Sequence, residues 1–481
     1  MLHIYKTYSA SFKNLKLLLL VLVILNSCSD FLEVEVPSNE IEPSSVFSNT
    51  VSVKAAFAGV YSQIRENGII SGTRSRGSSI LLGLYTDELQ TFNENNNPFF
   101  LNDLDSEDAT VSNYWGESYN NIFEVNKILD GIQNSDALTA EDKNEFRGQA
   151  LFLRAFFHSM LVQLFGDIPY VTTTNHEINK IASRASTGEV YAQIIKDLLE
   201  AKSLLGITNR DNDIVFPDKI TAEALLARVY LYTEDWTNAA QSASFAIDNV
   251  IWEPDVNEVF IHEFFNLSEE GEDIGESVIW SLKTDILNNQ NTNLGASFII
   301  QENTANFDGR PILTNDLINA FDLNDKRRDA WVGSLIVGSN TLFFPTKYKE
   351  PAPTSPVTKE YPIILRLAEQ YLIRAEARAM LGDIPGAKDD INIIRTRAGL
   401  PNVGAFINSQ EGIIEAIIRE RRVEFFTEFG HRFYDLKRTG YINAVLTEIK
   451  PNWNPEGVLL PIPQRELDVN LNLLPQNPGY Q

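Results

Sequence analysis

Few of the residues able to do chemistry are spaced as a reaction would need. The five histidines, His3, His158, His176, His262 and His431, are scattered. His262-Glu263 lacks the second histidine of a helical zinc motif. No Gly-x-Ser-x-Gly elbow is present, and Cys28 is the sole thiol, so an intrachain disulfide is excluded. Asp103, Asp105, Glu107 and Asp108 form one oxygen-rich run, and Glu269, Glu270, Glu272 and Asp273 another. Hard cations such as calcium take clustered oxygens, but neither run has an EF-hand layout, and both read as solvated acidic loops. A carboxylate pair of the glycosidase kind is a spatial feature that 65 acidic residues leave open.

What remains is recognition by aromatic rings and planar polar groups. The stretch Asn67 to Asn113 holds Arg74, Arg76, Phe92, Asn95, Phe99 and Phe100, and Lys283 to Thr358 holds Phe298, Phe307, Trp331 and Tyr348. Aromatic faces stack on the C–H faces of sugar rings, while asparagine and arginine meet ring hydroxyls. These ten are the candidate ligand residues, with loop packing or a partner interface as the competing reading. Trp331 closes the run Asp325-Lys326-Arg327-Arg328-Asp329-Ala330, which looks structural.

Most of the elements that would carry these loops read as helices. Tyr114 to Ile132 places Trp115, Tyr119, Ile122 and Phe123 at helical spacing, and Trp115, Tyr119 and Ile122 read as core. A second helix runs from about Glu141 to Phe165, where Gly166-Asp167-Ile168-Pro169 stops it, and Thr187 and Glu189 open a third, Val190 to Leu205. Thr221 to Asn249 and Leu367 to Ala398 each show small residues on one face, a turn near Asp235 or at Leu381-Gly382-Asp383, and a second alanine-bearing helix. Units of this size and layout follow the tetratricopeptide pattern. A final helix is expected from about Glu411 to Phe429. Alternating acids and bases from Glu420 to Arg438 read as ion pairs locking helices, with Glu428 and Arg432 on one helical face. Arg147 and Arg154, seven apart, read as partners of acids on neighbouring helices.

At the amino terminus, Lys6, Lys13 and Lys16 precede the apolar run Leu17 to Leu25, the layout of a secretory signal too short to span a membrane. Leu25-Asn26-Ser27-Cys28 looks like a lipobox, which makes Cys28 an acylation site. Residues 1–27 are then a signal peptide and 28–481 one domain, with halves of about 28–235 and 236–481. Removing the signal takes three lysines and no acid from a net charge of −25, leaving −28. So negative a chain repels phosphate backbones, which argues against nucleic acid and mildly favours neutral over polyanionic ligands.

The run Arg147 to Ala155 with its Gly166-Asp167-Ile168-Pro169 stop, the helix Leu365 to Ala377, Asn392 to Leu400, the charged stretch Glu420 to Leu436, Leu460-Pro461-Ile462-Pro463 and Asn477-Pro478-Gly479-Tyr480 together resemble the SusD/RagB family from Cys28 to Gln481. The acidic run after Cys28 resembles a surface-export signal of lipoproteins from the same bacterial group. The resemblance implies a mainly α, tetratricopeptide-like scaffold with long irregular loops and a few short β-hairpins. It further implies a non-catalytic lipoprotein without a cofactor on the outer membrane, capturing oligosaccharide for a SusC-like TonB-dependent transporter and closing over it as a lid. Peptide import of the RagB type, a surface glycosidase and a purely architectural scaffold are the alternatives.

Overall fold

The computed structural model describes residues 46–70, 76–93, 96–208, 214–250, 277–284, 288, 290–301, 309–356, 360–404 and 406–480. Cys28, Arg74, Asn95, Phe307, His262 and the acidic run 269–273 lie outside the described residues.

Side-chain caps begin most helices, because the first N–H groups of a helix have no partner within it. Helix α1 spans Thr50–Glu66, with Asn49 accepting from Ser52 N–H, and α2 spans Ser78–Tyr85. Strand β1, Leu89–Thr91, and the single turn α3, Pro98–Leu101, follow. Helix α4, Ala109–Asn134, starts at Asp108, while α5, Ala140–Phe165, and α6, Thr187–Leu204, each open on a capping box, Thr139 with Asp142 and Ser186 with Glu189. Helices α7, Lys219–Tyr232, and α8, Trp236–Asn249, form the first repeat.

Strand β2, Val278–Ser281, pairs antiparallel with β6, Ile363–Arg366; β3, Pro311–Leu313, pairs with β1; and β4, Val332–Val337, pairs with β5, Asn340–Pro345. The short helix α9, Lys326–Trp331, leads into β4. Of these three ladders only β4–β5 is a hairpin. The other two join strands far apart in the chain, so among the described residues the few short strands form one hairpin and two long-range pairs. The second repeat is α10, Leu367–Met380, with α11, Ile384–Arg397, followed by α12, Gln410–Glu424, α13, His431–Arg438, and α14, Ile442–Ile449.

The two repeats close alike. Asp235 and Asp383 cap their second helices, their N–H groups reach back to Tyr230 O and Arg378 O, and the residue before each is left-handed, Glu234 at φ 57° and Gly382 at φ 88°. Helix α8 packs directly on α10, so the repeats stack although residues 250–366 separate them in sequence. The small residues Ala239, Ala243, Ala246, Ala368, Ala375 and Ala379 are fully buried, which lets the helices approach closely.

Helix α5 is buried around its whole circumference from residue 148 onward, as expected of a central helix. Its polar side chains therefore need partners. Arg154 grips Asp197 of α6 through Nε and Nη2 (2.7 and 2.8 Å) and Asn126 of α4 through Nη1 (3.0 Å). Arg147 pairs with Glu200. His158 Nε2 accepts from Val171 N–H (3.1 Å), so Nδ1 carries the ring proton and donates to Arg154 C=O (2.8 Å). Burial pulls this imidazole down to a pKa of about 4.

The charged stretch at the end of α12 gathers elements remote in sequence. Fully buried Glu424 accepts from Arg366 of β6 (2.6 Å), Arg327 of α9 (2.9 Å) and Arg397 of α11. Burial would raise this carboxyl, but the three guanidinium groups outweigh it and hold the pKa well below the usual range. Helix α12 ends at Glu424, five residues short of the expected Phe429, because Thr427, Phe429 and Gly430 are left-handed. Two N–H groups of this turn are taken by side chains, Thr427 N by Glu88 and Phe429 N by Ser79. Nor is it the last helix, since α13 and α14 follow. Glu428 and Arg432 consequently do not share a helix: Glu428 binds Arg366 and Lys347, and Arg432 binds Asp87.

Glu424→Gln leaves three buried arginines short of one anionic acceptor, and thermal or urea unfolding is expected to show a loss of roughly 3–5 kcal/mol. For His158, the unfolded chain binds the proton more tightly than the folded one, so its contribution is complete above the ordinary pKa of about 6.5 and falls as pH drops towards 4. The linkage amounts to about 3 kcal/mol. Urea midpoints measured between those pH values should decline less steeply in His158→Gln than in the unaltered protein.

Candidate functional site

The clearest concavity near the candidate ligand residues is built where α2 gives way to β1. Thr86 caps α2 by bonding back to Leu82 O, and the next two residues, Asp87 and Glu88, are buried acids. Thr314, just after β3, clamps this turn: its N–H donates to Glu88 O (3.0 Å) and its hydroxyl to Asp87 O (2.7 Å). The β1–β3 ladder thereby runs on into the cap of the next short helix. Across it, α3 is set by Asn97, whose side chain accepts from Phe99 and Phe100 N–H.

Between these segments and the end of α14 lies a cleft of about 260 Å³. Leu89, Phe100, Leu101, Ile449 and Pro451 supply its apolar walls; Thr86, Asp87, Gln90, Thr314, Asp316 and Lys450 supply polar groups. Such a mixture, apolar walls with a few placed donors and acceptors, suits an uncharged polar ligand.

The acids around this cleft are matched by arginines. Asp87 takes Arg432 in a bidentate grip (2.8 and 2.7 Å) and Arg422 through Nη2 (2.7 Å), which also reaches Asp316 (2.5 Å). Burial acts to raise the Asp87 carboxyl, yet the two arginines hold it below the ordinary carboxylate value. Lys450 donates to Leu84 O (2.6 Å) and Phe100 O (3.1 Å), and its ammonium lies 4.3 Å from the centre of the Phe100 ring. Burial lowers its pKa to about 8. Glu88, buried and next to ionised Asp87, is raised to about 8 and is therefore mostly protonated at neutral pH.

Of the candidate ligand residues among the described ones, Phe100 alone lines this cleft. Phe92 is half-buried and caps a separate small cluster of Ile300, Ile312, Leu342 and Phe344. Arg76 is exposed elsewhere, its backbone C=O accepting from Tyr114 Oη. Phe99, Phe298, Trp331 and Tyr348 are buried, which corrects the expectation that they present rings to a ligand. Phe99 packs edge-on against Tyr85. Phe298 and Tyr348 border a void with room for about one water, and Tyr348 Oη accepts from Ile363 N–H. Trp331 and Phe426 flank the Lys347 ammonium, 4.7 and 4.1 Å from the ring centres.

Ile449, Lys450 and Pro451 were missed because they lie some 350 residues from Phe100, and no sequence pattern joins them. Gln90 and Asp316 had a faint signal, each standing in one of the two long polar segments. The oxygen-rich run 103–108 is spent locally: Asp108 caps α4 and Asp105 accepts from Glu107 N–H. Among the described residues no cluster of histidine, cysteine or acid has metal-binding geometry.

The fold thus defines a class, a tetratricopeptide-like helical body overlaid by loop-built, short-stranded segments that frame a cleft. Residues 30–231 match the family described as starch-binding and associating with the outer membrane, and residues 332–480 match the SusD family. The chain belongs to the SusD family, as the sequence motifs implied. SusD-like protein P2 of Formosa agariphila is 30% identical over 97% of this chain and all of its own length. A SusD superfamily protein of Bacteroides vulgatus superposes with a TM-score of 0.77 at 23% identity, over 90% of this chain and 99% of that one. A laminarin-binding SusD-like protein does so with a TM-score of 0.74 at 22% identity, over 90% and 100%.

The burial of Trp331 separates packing from recognition. Trp331→Ala is expected to lower stability by about 3–5 kcal/mol in thermal or denaturant unfolding. The affinity of the still-folded fraction for oligosaccharide should stay unchanged, because the ring does not border the cleft.

Proposed function

We propose that the mature chain, acylated at Cys28 and exposed on the cell surface, captures a neutral oligosaccharide and passes it to a SusC-like TonB-dependent transporter, over which it closes as a lid. It binds this ligand without cleaving it. The observation that carries the reading is the cleft at Phe100, where a half-exposed ring lies beside Gln90 and Thr314 and the acids Asp87 and Asp316 are already neutralised by arginines. A neutral glycan entering there strands no buried charge, whereas a uronate or sulfate would meet Asp87 and Asp316. The laminarin-binding protein of the same fold supports a glucan as the ligand class. Family membership supports both the outer-membrane setting and the transporter as partner. Arg74, Arg76, Phe92, Asn95 and Phe307 stay candidates for further ligand contact by residue type alone.

Open and modest in volume, the cleft suits weak, reversible capture. Removing one stacking ring costs about 1 kcal/mol, so Phe100→Ala should weaken binding of laminari-oligosaccharides roughly five- to tenfold in titration calorimetry. Unchanged affinity would remove the cleft from the binding surface. Preferential binding of peptide mixtures would favour the RagB-type alternative, and release of shortened products would favour a glycosidase.

A further inference from the structure

We propose that the ligand surface continues past the Phe100 cleft, across the Arg422–Asp316 ion pair, into a second concavity bordered by Tyr441, so that a glycan chain is held at two rings. The second concavity measures about 480 Å³, against about 260 Å³ for the cleft. One face of α12 lines it, where Glu411, Glu415, Ile418 and Arg422 recur at helical spacing. Tyr441, directly before α14, borders it with a side chain that is 49% exposed.

Two features join the concavities. Arg422 and Arg432 line the second, whereas the carboxylates they bind, Asp87 and Asp316, line the first. The two linings therefore meet within ion-pair distance. Helix α14 also runs from one to the other. Tyr441 borders the second concavity and Ile449 the first, with half-buried Val445 between them at four-residue spacing, while Ile442 and Leu446 are buried in the core. Eight residues of helix separate Tyr441 from Ile449 by about 12 Å, a span longer than a single sugar ring.

The chemistry repeats that of the cleft. Tyr441 offers a ring face, half-buried Ile418 an apolar floor, and exposed Arg419 planar donors for hydroxyl groups. Arg422 and Arg432 are already held by Asp87, and exposed Glu411 and Glu415 oppose an anion, so an uncharged chain suits both halves. A chain bound at Phe100 presents its next units to Tyr441 at high effective concentration, so the second contact adds affinity without a second independent association. The inference rests on the capture reading above and deepens it: the ligand is an extended chain, and its length sets the affinity.

Titration calorimetry of the chain 28–481 with laminaritriose and laminarihexaose reads that length dependence. The longer chain is expected to bind the unaltered protein about five- to tenfold more tightly, the worth of one added stacking ring. Tyr441→Ala should remove this gain while the trisaccharide binds as before, and Tyr441→Phe, which keeps the ring, should restore it. Phe100→Ala should weaken both chains. Thermal melting of each variant checks that the fold is intact. Equal affinity for the two lengths in the unaltered protein would overturn the proposal and leave capture at Phe100 standing. So would a gain that survives Tyr441→Ala, or loss of transporter co-purification in that variant with the gain intact, since the concavity would then be a protein interface. Failure of both chains to bind removes glucan capture itself, and this extension with it.

Discussion

A single buried carboxylate ties the molecule together. Glu424 has no access to water, and its two oxygens are claimed by guanidinium groups from α9, β6 and α11. Each of those elements reaches the site along a different path: α9 through the inserted segment, β6 at its end, α11 from the second repeat. An ion buried this deeply is tolerable only when opposite charges answer it at close range, so the network selects one arrangement of the four elements. Asp325 and Glu428 extend it by answering Arg327 and Arg366, and Lys347 joins between the rings of Trp331 and Phe426.

From this lock follows the placement of the cleft. The left-handed turn at Thr427 to Gly430 redirects the chain after α12 so that α13 begins against α2. A Cβ at Gly430 would lie 2.3 Å from Leu82, which explains why glycine stands at that approach. Arg432, on the first turn of α13, then reaches Asp87, and Arg422 from α12 bridges Asp87 and Asp316. The floor of the cleft is thus neutralised by the same stretch of chain that closes the central network. Structural ion pairs and the cleft share one wall.

The helical stack shows how far local pattern carries. Capping residues, the stop at Gly166 and the alanine-bearing faces of both repeats were readable because each rule operates within one or two helical turns. The repeats close through matching turns although one uses Gly382 and the other Glu234, so backbone geometry survives where side-chain identity differs. Pattern reading failed for the rings of Phe99, Phe298 and Tyr348, which stand in long polar segments and looked available, whereas Trp331 is buried as its structural-looking run suggested. Those segments contain α2, α3, α9 and all of β1, β3, β4 and β5, and they bury these four rings in the main core that the helices share.

What the sequence determined by itself was the family, the helical scaffold, the amino-terminal lipobox pattern and the role of the Glu420 to Arg438 stretch as ion pairs, since motifs, periodicity and charge alternation are local properties of the chain. Which acid meets which base was left to tertiary structure, because Glu428 and Arg432 are neighbours in sequence yet serve different partners across a turn. The cleft was likewise undecided until Ile449 to Pro451 met Phe100 across most of the chain. Burial decided the rest: an aromatic residue in a polar segment can pack inward or face a ligand, and only the surrounding atoms choose between the two.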